Sequence, residues 1–221
     1  MSLTLEYQSL SELIYKDIST RIISGQYKPG EQLVESSLQE RYSVSKAPIR
    51  EAFQMLINDQ LVERKPRRGC FVKTPEEKQI KDIYEIRLLL ESYAASKAYE
   101  RLDSSGVTKL RTAYYMMEEA AKNNDKDAYY LCHDVFQSFF SNECGNDVIA
   151  EHCQRLRAQN RWYHMQFFHT DLVEDFHTHD KLLEHFEKHD VSPYEIQVLM
   201  QDHIRIGLAN YDKYLVSTKL S

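Results

Sequence analysis

The first stretch of the chain places apolar residues at the period of an α-helix. They would share one helical face: Leu10, Leu13, Ile14, Ile18 and Ile22. Because residues three and four apart lie on the same side of a helix, this spacing predicts an amphipathic helix. Gly25 follows as the expected C-cap, since glycine readily adopts the left-handed backbone that often ends a helix. A shorter helix is predicted for residues 35–42, with Leu38 facing inward.

The next segment, SVSKAPIREAF (residues 43–53), has a helical pattern although it contains a proline. With Ser45 as the N-cap, we expect its side chain to accept a hydrogen bond from a backbone N–H of the first turn. Pro48 then falls in that first turn, where a missing N–H costs little. The helix is predicted to run to about Asn58, with an apolar inner face (Ile49, Phe53, Leu56, Ile57) and a polar outer face (Lys46, Ala47, Arg50, Gln54).

A basic turn separates two short β-prone segments, LVERK and CFVK, within residues 61–73. The turn contains Pro66 and Gly69, and this combination predicts a β-hairpin. Three helices followed by a basic hairpin are the element order of a winged helix-turn-helix.

After Thr74-Pro75 the pattern is helical, with short polar breaks. The predicted helices are roughly 78–100, 104–122, 125–142, 147–168, 171–188 and 192–216. Short connections favour antiparallel neighbours in a bundle. The sequence therefore predicts a mostly-α chain of two domains: a winged helix-turn-helix over residues 1–75, and an all-α antiparallel helical bundle over residues 76–221.

The charge distribution separates the same two parts. The chain of 221 residues carries a net charge of −6, but residues 1–75 carry +2 and the remainder −8. Residues 41–73 alone carry +5, and all nine histidines lie from His133 onward. A small basic patch on an otherwise acidic protein is typical of a DNA-reading module joined to a domain of another kind.

Composition also limits the location of the protein. No apolar run approaches the ~18 residues of a membrane span, and the N-terminus lacks the basic start and apolar block of a signal peptide. The four cysteines form no C-x-x-C pair, which favours reduced thiols. We therefore expect a cytoplasmic protein with no membrane partner.

The third helix is the candidate reader of DNA bases. Its N-terminal residues are Ser45, Lys46, Ala47 and Arg50, and a recognition helix presents such residues to the major groove. Arginine can pair with guanine O6 and N7. Ser36 could bond a phosphate, and the hairpin tip (Arg67, Arg68, Gly69) could reach the minor groove or the backbone. The alternative is an ordinary solvated basic surface.

The sequence of the predicted DNA-binding domain resembles that of a known family. The segments IISGQYKPGEQL, SLQERYSVSKAPIREAFQML and LVERKPRRGCFVK, within residues 18–73, are similar to the DNA-binding domain of GntR-family transcriptional regulators. Arg50 and Gly69 match the pattern of that family. Lys46 and Ala47 replace its usual Arg and Thr at positions that read DNA in relatives. The resemblance implies the fold of the reader but not its preferred base sequence.

The second domain resembles the FCD branch of the FadR-like subgroup, through IRLLLESYAASKA (86–98), VFQSFFSNECGN (135–146), HDKLLEHF (179–186) and MQDH (200–203). The resemblance implies a divalent metal (zinc, nickel or manganese) inside the bundle, held by an Asp-x-x-x-His pair and two later histidines. In this chain, His133 occupies the position of the family's usual Asp, and Gln137 occupies the position of its usual His. His179 and His203 match the two later ligands. A register shifted by one residue would bring in Asp134 and Ser138 instead.

Two residues are candidates for effector binding. Arg87 matches a recurrent Arg…Glu pair of this domain type and could hold a carboxylate through paired N–H donors; Gln137 could orient a water molecule or the effector. The alternative for Arg87 is an i, i+4 ion pair with Glu91 inside the helix.

Together these observations predict a homodimeric, ligand-responsive transcriptional repressor that binds a palindromic double-stranded DNA operator and a small carboxylate or sugar acid. Three alternatives remain: the same regulator with a metal-free pocket, an architectural DNA-binding protein without effector, and a metal-dependent hydrolase. A catalytic motif such as H-E-x-x-H is absent from the sequence, so we do not expect an enzyme.

Overall fold

The computed structural model describes residues 9–167 and 171–219, most of which are helical. The chain divides between Pro75 and Glu76 into two compact units. The predicted mostly-α class, with a winged helix-turn-helix and a helical bundle, is confirmed. All four cysteines are free thiols. Over the described residues, no helix is both long and apolar enough to cross a bilayer.

The first unit contains three helices and a small antiparallel sheet. Its elements are α1 (Leu10–Ile23), β1 (Gln32–Leu33), α2 (Glu35–Tyr42), α3 (Lys46–Asn58), β2 (Val62–Lys65) and β3 (Gly69–Val72). The strand order is β1-β3-β2, so the predicted hairpin β2–β3 gains a third strand that the sequence did not indicate. In the register, Gln32 lies opposite Phe71 and Leu33 opposite Cys70.

The buried face of α1 is narrower than its sequence pattern suggested. Ile14, Ile18 and Ile22 are fully buried, but Leu10 and Leu13 are 51% and 49% exposed, so the predicted apolar face is only partly buried. The buried residues of α1 are Ser11, Ile14, Ile18, Ile22 and Ile23, so Ser11 is the one residue of the first turn that reaches the core. That first turn is instead stabilised by a capping box between Ser9 and Glu12.

Helix α3 begins where predicted but without the predicted side-chain cap. Ser45 is the N-cap residue and has an extended backbone, yet its hydroxyl accepts no hydrogen bond from the helix. An N-cap side chain normally bonds the N–H of the second or third helical residue. The third residue here is Pro48, which has no N–H. Pro48 therefore removes one of the two backbone N–H groups to which the Ser45 hydroxyl could bond.

The second unit is an all-helical bundle. Its elements, over the described residues, are α4 (Glu77–Glu100), α5 (Ser104–Lys122), α6 (Lys126–Asn142), α7 (Asp147–Phe167), α8 (Leu172–His177), α9 (Asp180–Lys188) and α10 (Pro193–Lys219). The last residue of the predicted helix 147–168 lies outside the described residues. Helix α4 packs mainly against α10, and α5 mainly against α6.

The single helix predicted for residues 171–188 is wrong, because the chain breaks at Thr178 and His179. The Thr178 hydroxyl donates to the Asp175 carbonyl oxygen at 2.7 Å, and the His179 backbone N–H donates to the Phe176 carbonyl at 3.0 Å. These bonds satisfy the carbonyls that the end of α8 leaves without helical partners. The break places a fully buried histidine at the N-cap position of α9.

Candidate nucleic-acid interface and candidate metal centre

A concave surface of about 550 Å³ lies in the first unit between α2, α3 and the hairpin. Four of the predicted DNA-binding residues line it: Ser36, Lys46, Arg50 and Gly69. The other four, Ser45, Ala47, Arg67 and Arg68, are exposed at the start of α3 and at the hairpin tip. The fold thus gathers half of the candidate set around one concavity and leaves the remainder accessible to a large ligand.

The hairpin tip is held in a defined shape. Arg67 and Gly69 both have positive φ, at 61° and 100°, and the Arg68 N–H closes the turn onto the Lys65 carbonyl at 3.0 Å. The Arg68 carbonyl accepts a hydrogen bond of 2.8 Å from the Gln32 side chain. Strand β1 therefore fixes the tip through Gln32, which no sequence pattern had indicated.

Arg50 pairs with Glu35 across the concave surface. Its Nε donates to Glu35 Oε1 at 2.5 Å, and its Nη2 donates to Oε2 at 3.2 Å. The hydrogen bond from the Arg50 guanidinium is the main cause that lowers the pKa of Glu35 below its usual value. The charges of Arg50, Lys46 and Arg64 lower it further, and burial opposes them. Sequence reasoning missed Glu35, because fifteen residues and a turn separate it from Arg50 and no local spacing links the two.

Three histidines converge inside the second unit. His133 lies on α6, His179 at the break before α9, and His203 on α10. The nitrogens that each could offer to a metal ion all lie within 4.8 Å of one another. A zinc–nitrogen bond is about 2.0–2.1 Å, so two imidazoles on one ion lie at most about 4.2 Å apart. Small side-chain rotations therefore suffice to bring the three nitrogens onto one ion.

Hydrogen bonds leave Nε2 of two of these histidines as lone-pair donors. His179 Nδ1 lies 2.9 Å from the Phe176 carbonyl, to which it donates its proton, and its buried Nε2 has no hydrogen-bond partner. His203 Nδ1 lies 3.2 Å from the Thr178 hydroxyl, whose own proton goes to Asp175. Nδ1–H donation of this kind fixes the tautomer in which Nε2 can bind a metal.

Electrostatics also favour neutral imidazoles. Burial is the largest cause that lowers the pKa of His133, His179 and His203, and the neighbouring histidines lower the pKa of His133 and His203 further. Because metal binding requires deprotonated ligands, neutral imidazoles are the reactive form. A donor set of three imidazoles fits zinc or nickel, whereas manganese, the third metal that the resemblance implies, prefers oxygen ligands.

The two remaining metal candidates are placed differently. Gln137 Nε2 donates to His203 Nε2 at 2.7 Å, while Gln137 Oε1 is buried without a hydrogen-bond partner. Asp134 lies outside the histidine cluster, with its carboxylate 3.5 Å from Arg161 on α7. The fold therefore does not place Asp134 with the three histidines, as the shifted register would require.

Arg87 is buried and paired within the protein. Its Nε and Nη2 bond the two Glu91 oxygens at 2.9 and 3.3 Å, and its Nη1 donates to Asn160 Oδ1 at 2.6 Å. The guanidinium also lies 4.9 Å from the centre of the Tyr84 ring. The structure thus contains the i, i+4 ion pair between Arg87 and Glu91. A carboxylate effector would have to compete with Glu91 for Arg87.

Arg87, His133 and His203 line a cavity of about 20 Å³. Other residues of its wall are Tyr84, Asn160, His164, Asp175, Thr178 and Gly207. This volume holds about one water molecule. An organic acid therefore requires the surrounding helices to move apart.

Comparison with known proteins finds a matching family model for each of the two units. Residues 10–72 match the model of bacterial regulatory proteins of the gntR family, and residues 82–205 match the FCD domain. The gluconate operon transcriptional repressor of Bacillus licheniformis is 27% identical over 175 residues, covering 77% of this chain and 70% of that protein. The uncharacterized HTH-type transcriptional regulator YdhC of Bacillus subtilis is 32% identical over 113 residues, about half the length of each protein.

A solved structure supports the fold of the whole chain. The structure of E. coli McbR/YncC superimposes with a TM-score of 0.80 at 20% identity, covering 94% of this chain and all of that one. The hydrolase alternative is excluded, because the matched families and relatives are regulators. The chain is a transcriptional regulator that belongs to the gntR family of bacterial regulatory proteins and carries an FCD domain.

Proposed function

We propose that this protein is a cytoplasmic repressor that binds a palindromic double-stranded DNA operator as a homodimer and is released by a small carboxylate or sugar acid. The observation that carries the proposal is the pairing, in one chain, of a basic concave surface beside α3 with a buried triad of histidines in the FCD domain. The first part reads DNA, and the second part senses the effector.

In the DNA-reading part, Arg50 contacts guanine in the major groove, and Lys46 contacts a base or a phosphate. The Ala47 methyl group touches a thymine methyl group. Ser36 and Ser45 bond phosphates, which fix the register of the helix on the duplex. Arg67, Arg68 and Gly69 at the hairpin tip approach the minor groove or the backbone, where glycine permits close contact.

In the sensing part, His133, His179 and His203 would hold a divalent metal, and Gln137 contacts His203. Such an ion supplies a Lewis-acidic point that attracts a carboxylate oxygen of the effector. The buried Nε2 of His179, whose Nδ1 is committed to Phe176, is the strongest support. Arg87 lies in the same cavity wall and is the second cation that an acidic effector would meet.

Because the cavity is so small, the effector binds a minor conformation in which the helices are further apart. A ligand that binds one of two conformations better shifts the population toward it. We propose that this shift changes the spacing of the two DNA-reading units in the dimer. The name of the Bacillus licheniformis relative, a repressor of a gluconate operon, supports sugar acids as the first class to test.

The homodimer is proposed to form through the FCD domain. Ile86, Leu89 and Tyr93 lie three and four residues apart on α4, and all three are exposed, with Leu89 at 70%. An exposed apolar helix face of this kind is typical of a protein–protein interface. Leu89→Glu should convert the dimer to a monomer in analytical ultracentrifugation, and an unchanged dimer would place the interface elsewhere.

The DNA-reading part is tested with a duplex selected by the wild-type protein from a random-sequence library. Arg50→Ala should weaken binding to this duplex and relax the preference for one base, because a bidentate arginine–guanine pair is worth about 1–3 kcal/mol. The control is Arg155→Ala, which removes an exposed cation of α7 in the FCD domain. Unchanged affinity of the Arg50 variant would refute α3 as the reading helix.

A metal-free pocket is the second candidate for the sensing part, because the hydrogen bond from Gln137 satisfies the lone pair of His203 Nε2 without an ion. The two candidates differ in a thermal-shift screen of sugar acids and dicarboxylates against zinc-loaded and chelator-treated protein. If the metal holds the effector, stabilisation requires zinc and is lost when His133, His179 and His203 are all replaced. Stabilisation that survives chelation would favour the metal-free pocket.

A further inference from the structure

Glu35 is an anion placed among the cations of the candidate DNA surface. It lies in the first turn of α2 and lines the same concavity as Lys46, Arg50 and Arg64. An acidic side chain here opposes the approach of phosphates and weakens sequence-independent binding. Its side chain is 30% exposed, so solvent and salt screen the pair, and an exposed ion pair contributes little to stability. Stability alone therefore does not account for it.

The geometry of the pair shows what Glu35 does to Arg50. Its two carboxylate oxygens bind the side edge of the guanidinium, through Nε and one N–H of Nη2. Guanidinium carries five N–H donors in a rigid fork. The end of the fork carries the three other N–H donors and is directed away from Glu35. The Arg50 side chain is 62% exposed, so this end is accessible. That end is the edge that matches O6 and N7 of guanine.

We infer that Glu35 is a specificity-determining positioning residue: it holds the Arg50 fork end-on toward the base and prevents Arg50 from turning to a phosphate. The inference rests on the proposed reading of DNA by α3. Arginine on a flexible side chain gains from any nearby phosphate, whereas a fork held along its side edge gains only from a partner that meets its end. Glu35 thus lowers affinity for the wrong sequence and preserves affinity for the right one.

Fluorescence anisotropy with two duplexes tests this inference. The probes are the duplex that the wild type selects from a random library and a scrambled duplex of the same length and composition. Glu35→Gln should raise affinity for the scrambled duplex and lower the selected-to-scrambled affinity ratio about tenfold, because the oriented arginine–guanine contact is lost. The salt dependence on the scrambled duplex should steepen by about one phosphate contact, as Arg50 turns to the backbone.

Two further variants separate positioning from charge. Glu51→Gln removes an exposed anion from α3 itself, so it should raise scrambled binding and leave the ratio unchanged. Glu35→Asp keeps the charge but shortens the side chain, so it should lower the ratio while raising scrambled binding less than Glu35→Gln does. Circular dichroism checks that each variant is folded. If Glu35→Gln does not fold, the affinity ratio of Glu35→Asp decides whether Glu35 positions Arg50.

The inference is overturned if both Glu35 variants keep the wild-type ratio, or if Glu51→Gln lowers it equally. These outcomes leave the proposed function standing, since Arg50→Ala would still weaken binding to the selected duplex. Failure of the wild type to select any duplex would overturn the proposed function and this inference together.

Discussion

Gln137 donates a hydrogen bond of 2.7 Å from its side-chain amide to Nε2 of His203, the nitrogen that His203 would offer to a metal ion. The amide thus occupies the lone pair that metal binding needs, and its own oxygen is buried without a hydrogen-bond partner. An ion entering the histidine cluster must displace this N–H. We therefore predict that the residue at position 137 controls the affinity of the cluster for metal.

Gln137→His should increase zinc affinity by about tenfold or more, because it removes the competing N–H and adds a fourth nitrogen ligand of the type zinc prefers. Competition with a chromophoric chelator measures the affinity. The matched control is Ser138→His, since Ser138 is the next residue on α6 and its hydroxyl bonds the Val135 carbonyl. Zinc affinity of Gln137→His at or below the wild-type value would contradict the placement of residue 137 beside the ion.

Arg87→Met should destabilise the FCD domain by about 3–5 kcal/mol, because it leaves Glu91 buried without its charge partner. The double variant Arg87→Met/Glu91→Leu should be much closer to the wild type. Urea unfolding followed by fluorescence measures both, since Trp162 is the single tryptophan and is fully buried in this domain. A cost below about 1 kcal/mol for the single variant would show that the pair is not desolvated.

Acid should destabilise the FCD domain partly through His164. Burial, with smaller effects from Arg87 and Lys126, lowers the pKa of His164 to about 3. Between that value and its unfolded pKa of about 6.5, the unfolded chain binds a proton that the folded chain does not, so stability falls as pH falls. His164→Gln should reduce this loss by up to about 1.4 kcal/mol per pH unit below pH 6.5.

The measurement is urea unfolding of chelator-treated protein at a series of pH values between 7 and 4.5, since bound metal would add its own pH dependence. Identical pH slopes for the wild type and His164→Gln would mean that His164 is protonated in the folded domain.

Most of the helices were predictable because each has a long run of apolar residues at helical spacing. The missed elements lack such a signal. Strand β1 has two residues, too few to show any alternation. The break between α8 and α9 falls within a continuous pattern in which Leu172, Phe176 and Leu183 are all buried at helical spacing. The hydrogen bonds of Thr178 that stabilise the break depend on the fold.

The candidate sites were predictable to different degrees. The start of α3 is local in sequence, so a cap residue, a proline and two cations four residues apart indicated where the helix begins and made it the candidate for reading DNA. The pairing of Arg50 with Glu35, and of Arg87 with Asn160 on another helix, depends on packing between distant segments. Among nine histidines, family resemblance indicated which three to choose, but only the fold brings His133, His179 and His203 within reach of one ion.

Metal uptake by the histidine cluster is the most direct test of this account. Isothermal titration of zinc into metal-free protein should show one tight site per chain, because three neutral imidazoles converge there. His179→Ala should lose that site, and His177→Ala, which removes an exposed histidine two residues away, should keep it. Equal zinc uptake by the wild type and His179→Ala, or no uptake by the wild type, would contradict the account.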